Sequence, residues 1–361
     1  MARRLFVLVT ALAVALGCGP AQSDRYTRKQ AQKSLAKLEA PGILIGEFRL
    51  TKVVDGDTVK VDGLDSSLRL IGIDAEETFK NEADRRAVEA DWNAYLKMKR
   101  GDSPRPVKMA SPMGEMAKDW GKHFFEGVER VRVERDHPAE IRDRYNRYLA
   151  YVLAQKNGVW VNYNVELVRA GMSPYFPKYG YSRRFHNDFM NAQEEAKQHK
   201  RGIWAPGVKS YPDYGERETW WMARGAFVEE FRKEGEGKPN YIDLTHWDAI
   251  KQLEDHVGKE VHLLATVSDV RISEKGPARV LLSYRMSQDF PLIFFDRDLL
   301  GTTGLREWKG EFVVVTGVPT LYTNKYNGKQ QLQIQIDRAS QIKLSPVPGL
   351  TPPTAPTTAQ P

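Results

Sequence analysis

The sequence predicts a mainly β protein with helices, of the α+β class, built as two successive small β-barrel domains. Two observations support this prediction. Short alternating apolar and polar runs bounded by Gly and Asp begin at Leu44, and a similar pattern restarts after Pro206. Apolar residues at helical spacing follow the first set of runs and precede the second. The 361 residues suffice for two ordinary domains, and 41% apolar content is enough to form buried cores.

The N-terminus has the pattern of an export signal. Two arginines precede an uninterrupted apolar or small run, Leu5 to Gly17, which is too short to span a bilayer as a permanent helix. The run ends at the only cysteine, Cys18, in a sequence that resembles a bacterial lipobox. The resemblance implies a lipoprotein signal peptide over 1–17, lipidation of Cys18, a tether over 18–43 and a lipid-anchored place in the bacterial cell envelope. An ordinary signal peptide of a secreted protein, with an incidental cysteine, is the alternative.

Charge and cysteine content restrict the chemistry. The formal net charge of +7 favours polyanionic partners such as nucleic acid, although 54 cations stand among 47 anions. With Cys18 lipidated, the mature chain has no cysteine for disulfides or thiolate metal sites.

The first domain is predicted over residues 44–206. We expect strands near 44–54, 57–62, 67–74, 131–135 and 147–153. Helical spacing predicts three helices, over 113–124, 161–168 and 185–196, with Ser182 able to cap the third. Residues 80–110 form an insertion, for which the sequence predicts one further helix and a Pro-containing loop.

A helical connector is predicted over 207–245, with its helix at 215–235. A second barrel over 246–344 should contain five strands, near 259–271, 278–285, 291–295, 311–318 and 331–337. The tail, 345–361, is rich in Pro and Thr and has no charge, so we expect it to be disordered.

Two aspartates are candidates for a metal site. Asp57 shares a strand face with Val59 and Val61, where a carboxylate is costly unless a cation meets it. Asp74 ends the apolar run that follows. Two carboxylates at the ends of adjacent strands, without clustered histidines, suit a hard cation such as calcium. A simple turn at Asp55-Gly56 explains the first segment equally well.

Several separated motifs resemble the thermonuclease, or staphylococcal nuclease-like (SNase), family. They are D-G-D-T-V-K-V at 55–61, L-R-L-I-G-I-D-A-E-E-T at 68–78, D-R-Y-N-R-Y-L-A-Y-V at 143–152, V-N-Y-N-V-E-L-V-R-A-G at 161–171 and K-R-G-I-W at 200–204. The likeness covers about Ile43 to Ala205. It implies an SNase-like OB barrel with three helices and an endonuclease that hydrolyses DNA and RNA with Ca²⁺, leaving 3′-phosphate and 5′-hydroxyl ends.

The resemblance also implies a role for each matching residue. Asp57 and Asp74 correspond to the calcium carboxylates, Glu77 to the general base, Arg69 and Arg147 to the catalytic arginines, and Arg144 and Tyr145 to substrate-binding positions. One departure is Ala75-Glu76 where the family commonly has Thr-Pro, so that Glu76 places a second carboxylate beside the expected base.

The second barrel resembles OB-fold modules that bind single-stranded nucleic acid, and Tyr284, Arg285, Phe294, Tyr322, Lys325 and Tyr326 offer the aromatic and basic mixture of such a groove. Aromatic residues of a small barrel can equally form its core. The whole chain is expected to be monomeric. The alternatives to a nuclease are an inert nucleic-acid-binding or scaffold protein and a surface adhesin or DNA-uptake receptor, and the presence of all five expected catalytic and metal residues favours the nuclease.

Overall fold

The computed structural model describes residues 42–286, 288–325 and 328–351. The predicted signal peptide, Cys18 and nearly all of the predicted tether lie outside these residues, as does Tyr326. Within the described ranges, no helix is both long and apolar enough to cross a membrane.

The first domain is a closed five-stranded barrel, as predicted. Strand β1 (Leu44–Asp55) pairs with β2 (Thr58–Val61) and β4 (Arg130–Glu134), β2 pairs with β3 (Leu68–Leu70), and β4 pairs with β5 (Tyr148–Lys156), all antiparallel. Parallel pairing of β3 with β5 closes the ring. A further strand, β6 (Val159–Asn162), continues the sheet beyond β5.

The barrel interior is apolar because alternate strand residues point inward. Val59, Leu68, Leu70, Val131 and Val152 are all fully buried in one core cluster. Residues between these positions face outward, and the candidate active site lies on that outer side.

Three helices accompany the barrel, α3 (Pro112–Phe124), α4 (Tyr163–Arg169) and α5 (His186–Gln198), preceded by two helices of the insertion, α1 (Glu82–Ala90) and α2 (Trp92–Arg100). The prediction of a helix from Val161 was wrong at its start. Val161 lies in β6, and the helix begins at Tyr163 because the Asn162 side chain accepts the backbone N–H of Asn164. The single predicted insertion helix is two, because Asp91 interrupts it and caps α2 by accepting the N–H of Ala94.

A second, eight-stranded sheet forms the C-terminal part of the chain. Its strands are β7 (Tyr241–Asp243), β8 (Val261–Arg271), β9 (Ala278–Leu282), β10 (Phe290–Phe294), β11 (Phe312–Gly317), β12 (Pro319–Thr323), β13 (Gln330–Gln335) and β14 (Ile342–Leu344). Antiparallel pairs link β8 to β9 and β9 to β10, β10 pairs parallel with β13, and β13 pairs with β12. Only Val318 separates β12 from β11, which pairs antiparallel with both β8 and β14.

Two boundaries differ from the sequence prediction. Because β7 pairs with β8, the second sheet begins at Tyr241 and not at residue 246. The tail predicted to be disordered is ordered at its start: Ser345 is fully buried, its N–H donates to Phe312, and its carbonyl accepts the indole N–H of Trp308. Residues 352–361 lie outside the described ranges.

The connector packs against both the insertion and the second barrel. Its helix α6 (Tyr214–Glu234) packs Trp220 and Trp221 in a cluster with insertion residues, and Phe227 and Phe231 against the second barrel. Two further α-helices of the described residues, α7 (Ala249–Asp255) and α8 (Arg297–Thr302), belong to the second domain, and short 3-10 helices lie at Gly202–Trp204 and Ala339–Gln341.

A buried carboxylate joins the insertion, the connector and the second barrel. Glu311, 1% exposed, forms a close ion pair with Arg224 of α6 and a 2.8 Å ion pair with Arg105 of the insertion. The indole N–H of Trp220 also donates to Glu311 at 3.2 Å. A buried charge of this kind needs all its partners, so these three segments are held together.

Candidate active site

An arginine bridges two aspartates on the outer side of the first barrel. Arg69, on β3 opposite Thr58 of β2, forms a close ion pair with Asp57 Oδ1 through NH1. Its NH2 group donates to Asp74 Oδ1 at 2.7 Å. The two aspartates lie just before β2 and after β3, so pairing of these strands brings both carboxylates to one guanidinium.

Close packing of small residues places Asp57. A Cβ atom on Gly56 would lie 2.6 Å from the Cβ of Ala75 and 2.9 Å from that of Ala117. Glycine is therefore needed where the turn between β1 and β2 meets α3. Ala75, which departs from the family pattern, is buried at this contact.

The charges of the site are strongly coupled. Lys108 of the insertion lies with its Nζ 2.5 Å from Asp74 Oδ1. Burial would raise the pKa of Asp74, but Lys108 and Arg69 outweigh it and hold that pKa below its usual range. Burial would likewise lower the pKa of Arg69, and the charges of Asp57 and Asp74 instead raise it. Burial and repulsion from Asp57 raise the pKa of Asp55 to about 6.

The adjacent glutamates have different environments. Glu76 is 2% exposed and accepts hydrogen bonds from Tyr211 N–H at 2.7 Å, Tyr214 OH at 2.8 Å and, more closely, Ser111 Oγ. Burial raises the pKa of Glu76 despite these donors. The Glu77 side chain is 36% exposed, and its described partner is Lys80 at 3.2 Å. Glu77 is thus the glutamate that solvent or a substrate can reach.

Glu77 borders a cavity of about 330 Å³ that the insertion largely builds. Thr78, Lys80, Asn81, Asp84, Lys99, Lys108, Met109 and Ala110 line the rest of it. Because Lys108 also contacts Asp74, the cavity adjoins the paired aspartates. The insertion, to which the sequence assigned no function, thus forms a wall of the candidate site.

Arg147 has a different carboxylate partner from Arg69. It lies just before β5, and its guanidinium forms a 2.7 Å ion pair with Asp143. Leu68 pairs with Tyr148, which places Arg147 beside Ser67. Because side chains alternate along strands, Arg147 and Arg69 are on the same, outward face.

The two predicted substrate-binding residues lie side by side, with the guanidinium carbon of Arg144 5.8 Å from the ring centre of Tyr145, but they differ in their other contacts. The Tyr145 side chain is 62% exposed, with the guanidinium carbon of Arg147 5.8 Å from its ring centre. Arg144 instead contacts the second barrel: its carbonyl accepts the N–H of Met286 at 3.0 Å, and its guanidinium lies 3.9 Å from Asp289. Tyr145 is therefore free to meet a ligand, whereas Arg144 is partly engaged by the domain contact.

The oxygen donors present fit a calcium ion. The described contacts of the Asp57 and Asp74 carboxylates are made through their Oδ1 atoms. Asp55 adds a third nearby carboxylate. Hard carboxylate oxygens without thiolate or imidazole are the donor set that calcium prefers.

A second cluster of possible ligands, His137, Glu140 and His246, does not fit a metal as well. The Nδ1 of His137 accepts the N–H of Ala139, so the neutral ring carries its proton on Nε2. Glu140 Oε1 already lies 3.1 Å from Arg232, and despite burial His246 and Arg232 lower the pKa of Glu140 to about 2. We interpret this cluster as a contact between the domains.

The structure adds residues that the sequence argument missed. Asp55 was interpreted only as part of a turn, although the D-G-D motif carried a signal for a second carboxylate. Lys108 had no signal, because it lies in an insertion without a counterpart in the family motifs. Lys178 is also near: burial and the charge of Arg224 lower its pKa to about 8, and Asp74 acts on it electrostatically.

The aromatic groove predicted on the second barrel is only partly present. Phe294 is fully buried, so its assignment to a binding surface was wrong and it belongs to the core. Tyr284 and Arg285 both bond the carbonyl of Trp247. Tyr322, 40% exposed, and the exposed Lys325 remain on the surface. Nucleic-acid binding by this barrel stays a prediction.

A barrel with two aspartates, a bridging arginine and an accessible glutamate is the arrangement expected of a thermonuclease-like site. Residues 67–206 match the family described as Staphylococcal nuclease homologue. The chain is 30% identical over 163 residues to a thermonuclease of Staphylococcus hyicus (44% of this chain, 75% of the relative) and 30% identical over 167 residues to one of Staphylococcus intermedius (44% and 77%). It is 31% identical over 170 residues to an uncharacterized protein of Methanocaldococcus jannaschii (43% and 70%). The chain belongs to the staphylococcal nuclease family.

These matches cover less than half of the chain. The family match ends at residue 206, so the OB-like assignment of the second barrel also stays a prediction from sequence.

Proposed function

We propose that this protein is a calcium-dependent endonuclease that hydrolyses phosphodiester bonds of DNA and RNA and leaves 3′-phosphate and 5′-hydroxyl ends. The observation that carries the proposal is the bridging of Asp57 and Asp74 by Arg69 beside a cavity bordered by Glu77. The two thermonucleases among its relatives also support a nuclease function.

Each residue has a role that its chemistry permits. Arg69 and Arg147 share a face and can each donate paired hydrogen bonds to phosphate oxygens, which gain negative charge as phosphorus becomes five-coordinate. Glu77, exposed and next to the site, accepts the proton of the attacking water. The bond from phosphorus to the 5′ oxygen breaks, that oxygen takes a proton from solvent, and Glu77 returns the proton it accepted to solvent.

Asp57 and Asp74, with Asp55 nearby, would hold the calcium ion. Bound there, calcium supplies Lewis-acid polarisation of the phosphate and a position for water. Glu76 takes no part in the chemistry because its carboxylate is buried and fully engaged. Tyr145, exposed beside Arg147, offers a stacking surface for a base.

The test uses end-labelled single-stranded DNA and RNA with the full chain and an Asp74→Asn variant. We expect the wild type to cut both polymers and to leave ends that a polymerase extends only after phosphatase treatment. The variant should lose cleavage while still binding the strand. If the wild type binds nucleic acid but does not cut it at any calcium concentration, the protein is the inert binding or scaffold protein instead.

We also propose that the protein is exported and anchored through lipidated Cys18, in support of which the sequence offers the lipobox-like ending of its N-terminal apolar run. Changing Cys18 to Ser should release the protein from the membrane fraction. Unchanged fractionation, together with no lipid on the wild-type N-terminus by mass spectrometry, would contradict the anchor and favour the secreted alternative.

A further inference from the structure

Lys108 is an additional cation in direct contact with one of the proposed calcium ligands. Its Nζ lies 2.5 Å from Asp74 Oδ1, the same oxygen that accepts the 2.7 Å hydrogen bond from Arg69. The Asp74 side chain is 5% exposed, whereas that of Lys108 is 48% exposed. The lysine therefore reaches from the solvent side onto a buried carboxylate.

The backbone on both sides of Lys108 is fixed by buried side chains. Arg217, 3% exposed, donates to the carbonyl of Val107 at 2.6 Å. The hydroxyl of Tyr211, 6% exposed, accepts the N–H of Met109 at 3.0 Å and donates to its carbonyl at 2.6 Å. Lys108 is thus presented to Asp74 by a segment anchored at both neighbouring residues.

The formal charges of the four touching groups cancel. Asp57 and Asp74 contribute two negative charges, and Arg69 and Lys108 contribute two positive charges. The affinity of a carboxylate site for calcium depends on its ligand charge, so a lysine on a ligand weakens calcium binding. Of the two cations that contact Asp74, Arg69 already has a role with phosphate in the proposed reaction. Lys108 is the other cation, and it belongs to the insertion.

We propose that Lys108 competes with calcium for Asp74 and lowers the calcium affinity of the site. The inference rests on the proposed function, because it takes Asp57 and Asp74 as the calcium ligands. It gives the insertion a function, which is to set the calcium concentration at which the site fills.

Calcium titration by isothermal calorimetry, without nucleic acid, tests the inference directly. In the full chain, Lys108→Met removes the charge and keeps most of the side-chain volume. Loss of one charge-assisted hydrogen bond to a ligand should lower the calcium dissociation constant by about 10- to 100-fold. Thermal unfolding of each variant shows that it is folded.

Two control variants test whether the positive charge at position 108 is responsible for the effect on calcium affinity. Lys108→Arg keeps the cation and should bind calcium like the wild type. Lys99→Met removes another lysine of the same cavity, which pairs with Asp84 at 2.8 Å and not with Asp74, and should also leave the affinity unchanged.

The inference is overturned if Lys108→Met binds calcium no more tightly than the wild type, or if Lys108→Arg binds it as tightly as Lys108→Met. Calcium binding by the wild type in that case leaves the proposed function intact. Absence of calcium binding in every variant would overturn both the inference and the calcium dependence of the proposed function.

Discussion

Replacing Glu76 and Glu77 one at a time by Gln should affect two different properties of the protein. Glu76→Gln should destabilise the fold and leave the turnover of the folded protein nearly unchanged. Glu77→Gln should lower turnover by about 2 to 4 orders of magnitude, as expected for loss of a general base, and leave stability unchanged.

The stability effect follows from the donors around Glu76. Its carboxylate accepts three hydrogen bonds, from the backbone of Tyr211 and the hydroxyls of Tyr214 and Ser111. An amide keeps one acceptor oxygen and places an N–H donor where the second carboxylate oxygen accepted, so one of the buried donors around it loses its acceptor, at a cost of about 1 to 3 kcal/mol whether or not Glu76 is charged. The melting temperature should fall by about 3 to 10 °C.

Replacing Glu77 should have little effect on stability. Its described ion pair is with Lys80, whose side chain is 79% exposed, and exposed pairs contribute between about 0 and 1 kcal/mol. Its replacement should shift the melting temperature by no more than about 2 °C.

The assay measures turnover on a short single-stranded oligonucleotide at saturating calcium, and thermal unfolding of the same preparations. These roles of the two glutamates are refuted if folded Glu76→Gln loses turnover as Glu77→Gln does, or if Glu77→Gln retains full turnover. Either result would mean that the register of the two glutamates has been misread.

Three further predictions concern other charges. Arg69→Lys keeps a positive charge but loses the paired hydrogen bonds, so turnover should fall at least about 100-fold while affinity for the strand changes little, and separate kinetic and binding measurements check this. Because the folded pKa of Asp55 is raised to about 6, its stabilising contribution is present below its ordinary value of 3.8 and is lost as pH rises through 6. The free energy of unfolding of Asp55→Asn, measured in EGTA, should match that of the wild type near pH 4 and exceed it by about 1 to 3 kcal/mol at pH 8. Glu311→Gln breaks a buried ion pair and should cost about 3 to 5 kcal/mol, seen as an earlier thermal transition, and an unchanged transition would show that Glu311 does not hold the domains together.

The contacts of Glu311 also make deletion of the second barrel an unsuitable test of its role in binding. Deleting that barrel would leave Arg224 and Arg105 without their buried partner and expose Phe227 and Phe231 of α6. A truncated chain would therefore report on folding as well as on binding. Substitutions of exposed residues such as Tyr322 and Lys325 in the full chain are the cleaner test of nucleic-acid binding.

Much of the first domain was predictable because its local signals agree with its tertiary structure. The motif around Asp57 predicted both the turn and the strand that follows, and the run ending at Asp74 predicted the next strand. Gly56 was assigned correctly to a turn, but its close approach to Ala75 and Ala117 needed the packing of α3. Short strands such as β7 and β14 were missed because three residues give no measurable alternation.

The ion pairs of the candidate site could not be predicted from the sequence. Nothing in the pattern shows that Lys108, which lies 34 positions after Asp74, contacts it, since only the folded insertion brings the two together. The same holds for Glu76, whose partners Tyr211 and Tyr214 lie beyond the family's last motif. Sequence spacing favoured Glu77 as the base, and burial of Glu76 supplies the physical reason for that choice.

The most direct test of the central claim is cleavage of single-stranded DNA by the full chain in calcium, in magnesium and in EGTA. We predict cleavage with calcium, little with magnesium, which demands a more regular octahedral site, and none with EGTA. Undiminished cleavage in EGTA would contradict the account, because Asp57 and Asp74 would then have no metal to hold.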